Sequence, residues 1–203
     1  MRHPDLLVGS VGVLVVAAAA AGVLLTPAGE ALRDFRVQWQ ETEVLSQRGA
    51  PYALSFSTAS ENAFVVDVSN LTAVNVGLEI RSGGSRVHNA LFTVMVRAPS
   101  GQESTGQVRF TAGTQGAVQS REFPFVLAQV PAMDVVTASS TAEAWERLSE
   151  RASDAGRGTW VVRIVGQAEG PVGAVGGGLD AYTASTGVRA MAYRAVLDPP
   201  VAG

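Results

Sequence analysis

The sequence predicts an antiparallel β-sandwich of jelly-roll-like type with one short helix, preceded by an amino-terminal transmembrane helix. Three observations predict it. Apolar residues recur with period two in run after run between Phe35 and Leu197, the pattern of strands with one buried face. Clusters of Gly, Pro, Asn and Ser separate these runs at short spacing, and no regular strand–helix alternation calls for a parallel sheet. Ahead of the runs, the twenty residues Leu6 to Leu25 carry no charge.

At about 1.5 Å per residue, twenty helical residues reach about 30 Å, the thickness of a bilayer's hydrocarbon core. Five leucines and six valines in the segment favour insertion, while Gly9, Ser10, Gly12 and Gly22 subtract a little. A cleavable signal peptide is the alternative. Arg2 supplies its positive end, Leu6 to Val16 its apolar core and the alanines at 18–21 its small-residue cleavage site. The apolar run continues through Val23, Leu24 and Leu25, which favours a retained anchor. On both readings the rest of the chain is exported; a buried soluble helix is the remaining alternative. The expected layout is an anchor over residues 1–26 and one extracytoplasmic sandwich over 27–203.

Pro27 to Gly29 break the first helix, and strands follow. "DFRVQWQ" sets Phe35, Val37 and Trp39 against Arg36, Gln38 and Gln40. "PYALSFS" repeats the pattern with Tyr52, Leu54 and Phe56, and "NAFVVDVSN" with Phe64, Val66 and Val68. "LTAVNVGLEI" alternates Val74, Val76, Leu78 and Ile80 with Asn75, Gly77 and Glu79, and Ser82 to Gly84 then signal a turn. "LFTVMVRAPSG" carries Phe92, Val94 and Val96 into a turn at Pro99 to Gly101. "QVRFTAG" and "EFPFVLAQV" are further strands. Pro124 places the second at a sheet edge or bulge, because it has no N–H for a ladder.

One helix interrupts the strands. Ser140 followed by Glu143 forms a capping box. Ala144, Leu148 and Ala152 share a face, and Glu143 can pair with Arg147 one turn on. Gly156 is expected to end the helix, whose apolar side covers one end or edge of a sheet. "GTWVVRIVG" resumes the strands with Trp160, Val162 and Ile164, and "VRAMAYRAVL" closes them with Met191, Tyr193, Ala195 and Leu197.

"FTVMVRAPSG" and "GRGTWVVRIVG" resemble the paired strands of pre-peptidase C-terminal and P-domain-like sandwiches, accessory modules of exported prokaryotic proteins. The resemblance covers roughly the last half of the chain and rests on strand-and-turn pattern. The helix after Ser140 departs from the plain module. The family implies a non-catalytic role in attachment, stabilisation or binding.

Composition narrows the chemistry. Charged residues make up 16% of the 203 positions, against about 25% in most soluble domains. Net charge is −3, and no basic stripe marks a nucleic-acid partner. All 15 basic residues are arginine, so no lysine is present for a Schiff base or a P-loop. Without cysteine there is no disulfide, thiolate ligand or thiol nucleophile. The two histidines, His3 and His88, stand apart in sequence and make neither a metal set nor a serine triad. The glycine-rich loop from Glu169 to Gly178 lacks the following helix and the lysine of a phosphate cradle. Asn70-Leu71-Thr72 is an N-glycosylation sequon, so Asn70 is a candidate glycan site. Phe35, Trp39, Phe92 and Trp160 sit in alternating runs and are assigned to the core. An enzyme would need carboxylates such as Asp67, Glu79 and Asp180 to converge.

The sequence therefore predicts no catalytic residue, no cofactor and no metal. It predicts a membrane-anchored structural or interaction protein, an accessory subunit of a membrane or cell-envelope assembly. Lipid is met through residues 6–25, and a protein partner is expected. The alternative is a secreted or anchored glycan- or peptide-binding module.

Overall fold

The computed structural model describes residues 31–56, 58–83, 89–111, 116–169 and 182–198. The anchor predicted over residues 6–25, His3, His88, Asp180 and the glycine-rich loop after Glu169 lie outside the described residues. Among those described, no helix is long and apolar enough to cross a membrane.

The chain runs β1 (Arg33–Arg48), β2 (Tyr52–Ala53), β3 (Ser60–Val66), β4 (Leu71–Ser82), β5 (Asn89–Arg97), β6 (Glu103–Phe110), β7 (Val118–Val126), β8 (Asp134–Ala138), α1 (Thr141–Ser149), β9 (Gly158–Glu169) and β10 (Tyr182–Leu197). One sheet has the order β7-β4-β10-β1-β8, with β2 also on β10; the other has the order β3-β9-β5-β6. These pairings are antiparallel. Among the described residues the fold is thus mostly antiparallel β with one helix, as the period-two runs predict. β5 and β9, which carry the two quoted fragments, pair directly from Asn89↔Glu169 to Arg97↔Val161. Pro124 lies in β7, an edge strand of the first sheet.

The main core lies between the sheets. Val74, Val76, Leu78 and Ile80 of β4 meet Phe92, Val94 and Val96 of β5, Phe123 and Phe125 of β7, and Trp160, Val162 and Ile164 of β9. Full burial of each such side chain contributes about 1.5–3 kcal/mol. Trp160 is 0% exposed and stacks on Phe64, with Phe125 meeting it edge-on at 4.9 Å. Its Nε1 donates to the Gly156 carbonyl at 2.9 Å, so burial leaves no polar group orphaned.

A second, smaller core lies on the opposite face of the first sheet. The even residues of β10 from Tyr182 to Ala192 point into the sandwich. Strand alternation then turns Ala195 and Leu197 to the other face. There they pack with Phe35, Val37 and Trp39 of β1, Val136 and Ala138 of β8, and Ala144 and Leu148 of α1. The irregularity between Glu43 and Leu45 lets β1 serve both cores: Phe35 and Val37 face the helix, while Leu45 packs toward the sandwich.

Three expectations need correction. The β2 ladder is only two residues long, because Leu54 and Phe56 turn into the core instead of extending it; the Leu54 N–H still bonds the Tyr182 carbonyl at 2.9 Å. β8 is a strand that the sequence did not announce, being five residues with one large buried side chain, Val136. The helix stops at Ser149, well before Gly156, and leaves Ala152 exposed. Gly156 serves a later turn instead. Its φ is +79°, and a Cβ there would lie 2.2 Å from Leu127 Cδ1. The capping box is present in altered form: Ser140 Oγ accepts from the Glu143 N–H at 3.2 Å, while the Glu143 carboxylate reaches past the cap to the N–H and hydroxyl of Ser139.

Candidate functional site

The outer face of the first sheet divides in two. α1 covers the half built from Phe35, Val37, Ala195 and Leu197. No described residue covers the other half, and the register gives its layout. One row across the strands reads Ser46, Arg189, Asn75, Pro124; the next reads Arg48, Gly187, Gly77, Glu122; a third reads Ser185, Glu79, Ser120. All of these except Pro124 line a groove of about 610 Å³.

Its floor is bare backbone, since Gly77 and Gly187 are direct cross-strand partners. Glycine inside a strand is destabilising by about 0.5–1 kcal/mol relative to alanine. Nothing local requires it here. A Cβ on Gly77 would come no closer than 3.9 Å to any neighbour, and one on Gly187 no closer than 3.7 Å. Strand glycines of this kind mark places where a ligand or another backbone approaches closely.

The walls are polar. Arg48 Nη2 donates to Glu79 Oε2 at 2.6 Å, and Arg81 Nη2 to Glu79 Oε1 at 3.2 Å. Hydrogen bonds and charge from Arg81 and Arg48 hold the Glu79 carboxyl below its ordinary range. Asn75 Nδ2 donates to Glu122 Oε2 at 3.0 Å, which leaves the buried Asn75 Oδ1 without a partner among the described residues. Arg189 is exposed, and its side chain has no hydrogen bond or ion pair with any described residue.

A second recess of about 590 Å³ opens beside α1, lined in part by Trp39, Tyr193, Trp145 and Asn70. Trp39 and Tyr193 meet edge-on at 5.2 Å, and Trp145 is 44% exposed. The buried Trp39 Nε1 has no partner among the described residues. Asn70 adopts φ 60° and is tied down on three sides. Its N–H bonds Ser153 O at 2.7 Å, its carbonyl accepts from Tyr193 N at 3.0 Å, and its Oδ1 accepts from Ser153 N at 2.8 Å. Thr72 of the same sequon is buried, with its hydroxyl on Glu41.

The carboxylates that an enzyme would need are separately engaged. Asp67 accepts from Arg157 at 2.7 Å, whereas Glu79 is held by Arg48 and Arg81. No group of three or more metal-binding side chains occurs among the described residues. Phe35, Phe92 and Trp160 are core, as assigned; Trp39 is only half-buried and walls the recess. The sequence had put Asn75, Gly77 and Glu79 on one strand face, but it did not place Gly187 and Arg189 beside them. That adjacency comes from the pairing of β4 with β10, which no local pattern reveals.

No family model matches the chain, and no curated protein matches it in sequence. Among solved structures it is similar to a chain of the infectious bursal disease virus particle, at 16% identity over 79% of this chain and 37% of that chain, with a TM-score of 0.33. It is also similar to a chain of the naturally occurring empty top component of cowpea mosaic virus, at 12% identity over 87% and 93% of the two chains, with a TM-score of 0.32. The chain thus spans little over a third of the first protein's length. Likeness at this level defines neither a family nor an activity.

Proposed function

We propose that this jelly-roll-like sandwich is a non-catalytic interaction module, held outside the cytoplasm by a single membrane helix over residues 6–25. Its role is that of an accessory subunit in a membrane or cell-envelope assembly, and the open half of the first sheet's outer face is its contact surface. The observation that carries this reading is the Gly77–Gly187 floor, a bare backbone that strand packing does not need. The resemblance of β5 and β9 to pre-peptidase C-terminal and P-domain-like strands agrees with a role in attachment. Extraction of the full chain from its native membrane in mild detergent, followed by affinity capture and intact mass, tests it. Co-purification of a stoichiometric partner is the expected result; recovery as a lone monomer would overturn it.

The second reading, a glycan-binding module, has its own support in the recess beside α1. Exposed Trp145 with Trp39 and Tyr193 offers aromatic surface for a sugar ring. A Trp145→Ala chain that loses retention on a polysaccharide column, while keeping its partner, would favour this reading.

A further inference from the structure

We infer that the groove over Gly77 and Gly187 takes an extended acidic segment of a partner protein, with a carboxylate paired to Arg189; this rests on the contact surface proposed above. Two features commit the occupant. The first is shape. An extended chain is the ligand that profits most from a floor without side chains, because its own backbone approaches closely there. The second is charge. Three arginines and two glutamates line the groove in a chain whose net charge is −3. Glu79 is already shared by Arg48 and Arg81, and the Arg189 side chain has no partner among the described residues. A guanidinium can bind a carboxylate through two parallel N–H bonds, which gives direction as well as attraction. Glu122 stands on β7, two strands from Arg189, or roughly 10 Å at the usual strand spacing. It repels a second carboxylate at that side and so sets the orientation of the segment.

The test uses the purified full chain in detergent and a fluorescein-labelled alternating Ser–Glu octapeptide, which presents its carboxylates on one side when extended. Fluorescence anisotropy should show saturable binding that weakens about tenfold with Arg189→Ala and with Gly187→Leu, and tightens two- to threefold with Glu122→Gln. Urea midpoints of the variants should match the parent, which separates loss of binding from loss of fold. An alternating Ser–Lys octapeptide should not bind. Absence of Ser–Glu binding, equal binding of Ser–Lys, or indifference to Arg189→Ala would overturn the inference. Free glutamate binding as tightly as the octapeptide would overturn it too, by assigning the groove to a small carboxylate. The two proposals fail differently. Native partner capture lost with Gly187→Leu but kept with Arg189→Ala would remove the acidic occupant and leave the contact surface standing. Capture indifferent to both would remove the surface as well.

Discussion

The covered and open halves of one sheet face differ in a way that their shared strands do not explain. β1 and β10 run through both. Where they carry Phe35, Val37, Ala195 and Leu197, α1 lies over them and a second core forms. Where they carry Arg48, Gly187 and Arg189, nothing in the described chain lies over them. The strands are thus continuous while the use of their face changes, and the change follows the side chains. Apolar residues gained their cover from the same chain; polar residues and glycines were left for something else.

The largest expected effect tests the covered half. Phe35→Ala removes a ring that is 2% exposed and should cost about 3–5 kcal/mol in urea unfolding. A loss under about 1 kcal/mol would mean that the helix side contributes little to the fold. Ser140→Ala should cost about 1 kcal/mol by leaving the Glu143 N–H uncapped. The same turn gives a pH signature. Bonds from the Ser139 hydroxyl and N–H, aided by Arg147, hold the Glu143 carboxyl at about 2, against an ordinary 4.5. A depressed value means that its stabilising effect is complete above the ordinary value and is lost as pH falls through about 2. Between those limits the parent should lose helix-side stability, followed through Trp39 and Trp145 fluorescence, while Glu143→Gln shows a flatter profile over that window.

Smaller effects belong to the open half. Gly187→Ala should leave stability unchanged or raise it by up to about 1 kcal/mol, since the added Cβ meets only ordinary contacts. Arg48→Ala breaks an exposed ion pair and should change stability by under about 1 kcal/mol. A large loss from either, read from the urea midpoint, would show that this face supports the fold.

Much of the sandwich was legible because its strands bury one face each. The run from Val74 to Ile80, the edge position of Pro124 and the Ser140 cap follow from period, backbone chemistry and spacing alone. β8 was not legible, since Val136 and Ala138 give too short a pattern to stand out. The helix end was misplaced because glycine is a common stop signal; here Gly156 answers to Leu127 and Trp160, which are contacts across the fold. The groove was half legible: Asn75, Gly77 and Glu79 share a face by alternation. Gly187 and Arg189 join them only through strand pairing, and long-range register has no local signature.

Gly187→Leu, assayed on one preparation for both urea midpoint and native partner capture, tests the central claim most directly. The account predicts an unchanged midpoint and lost capture, because the leucine fills a space that only a partner uses. A collapsed midpoint, or full capture despite the leucine, would contradict it.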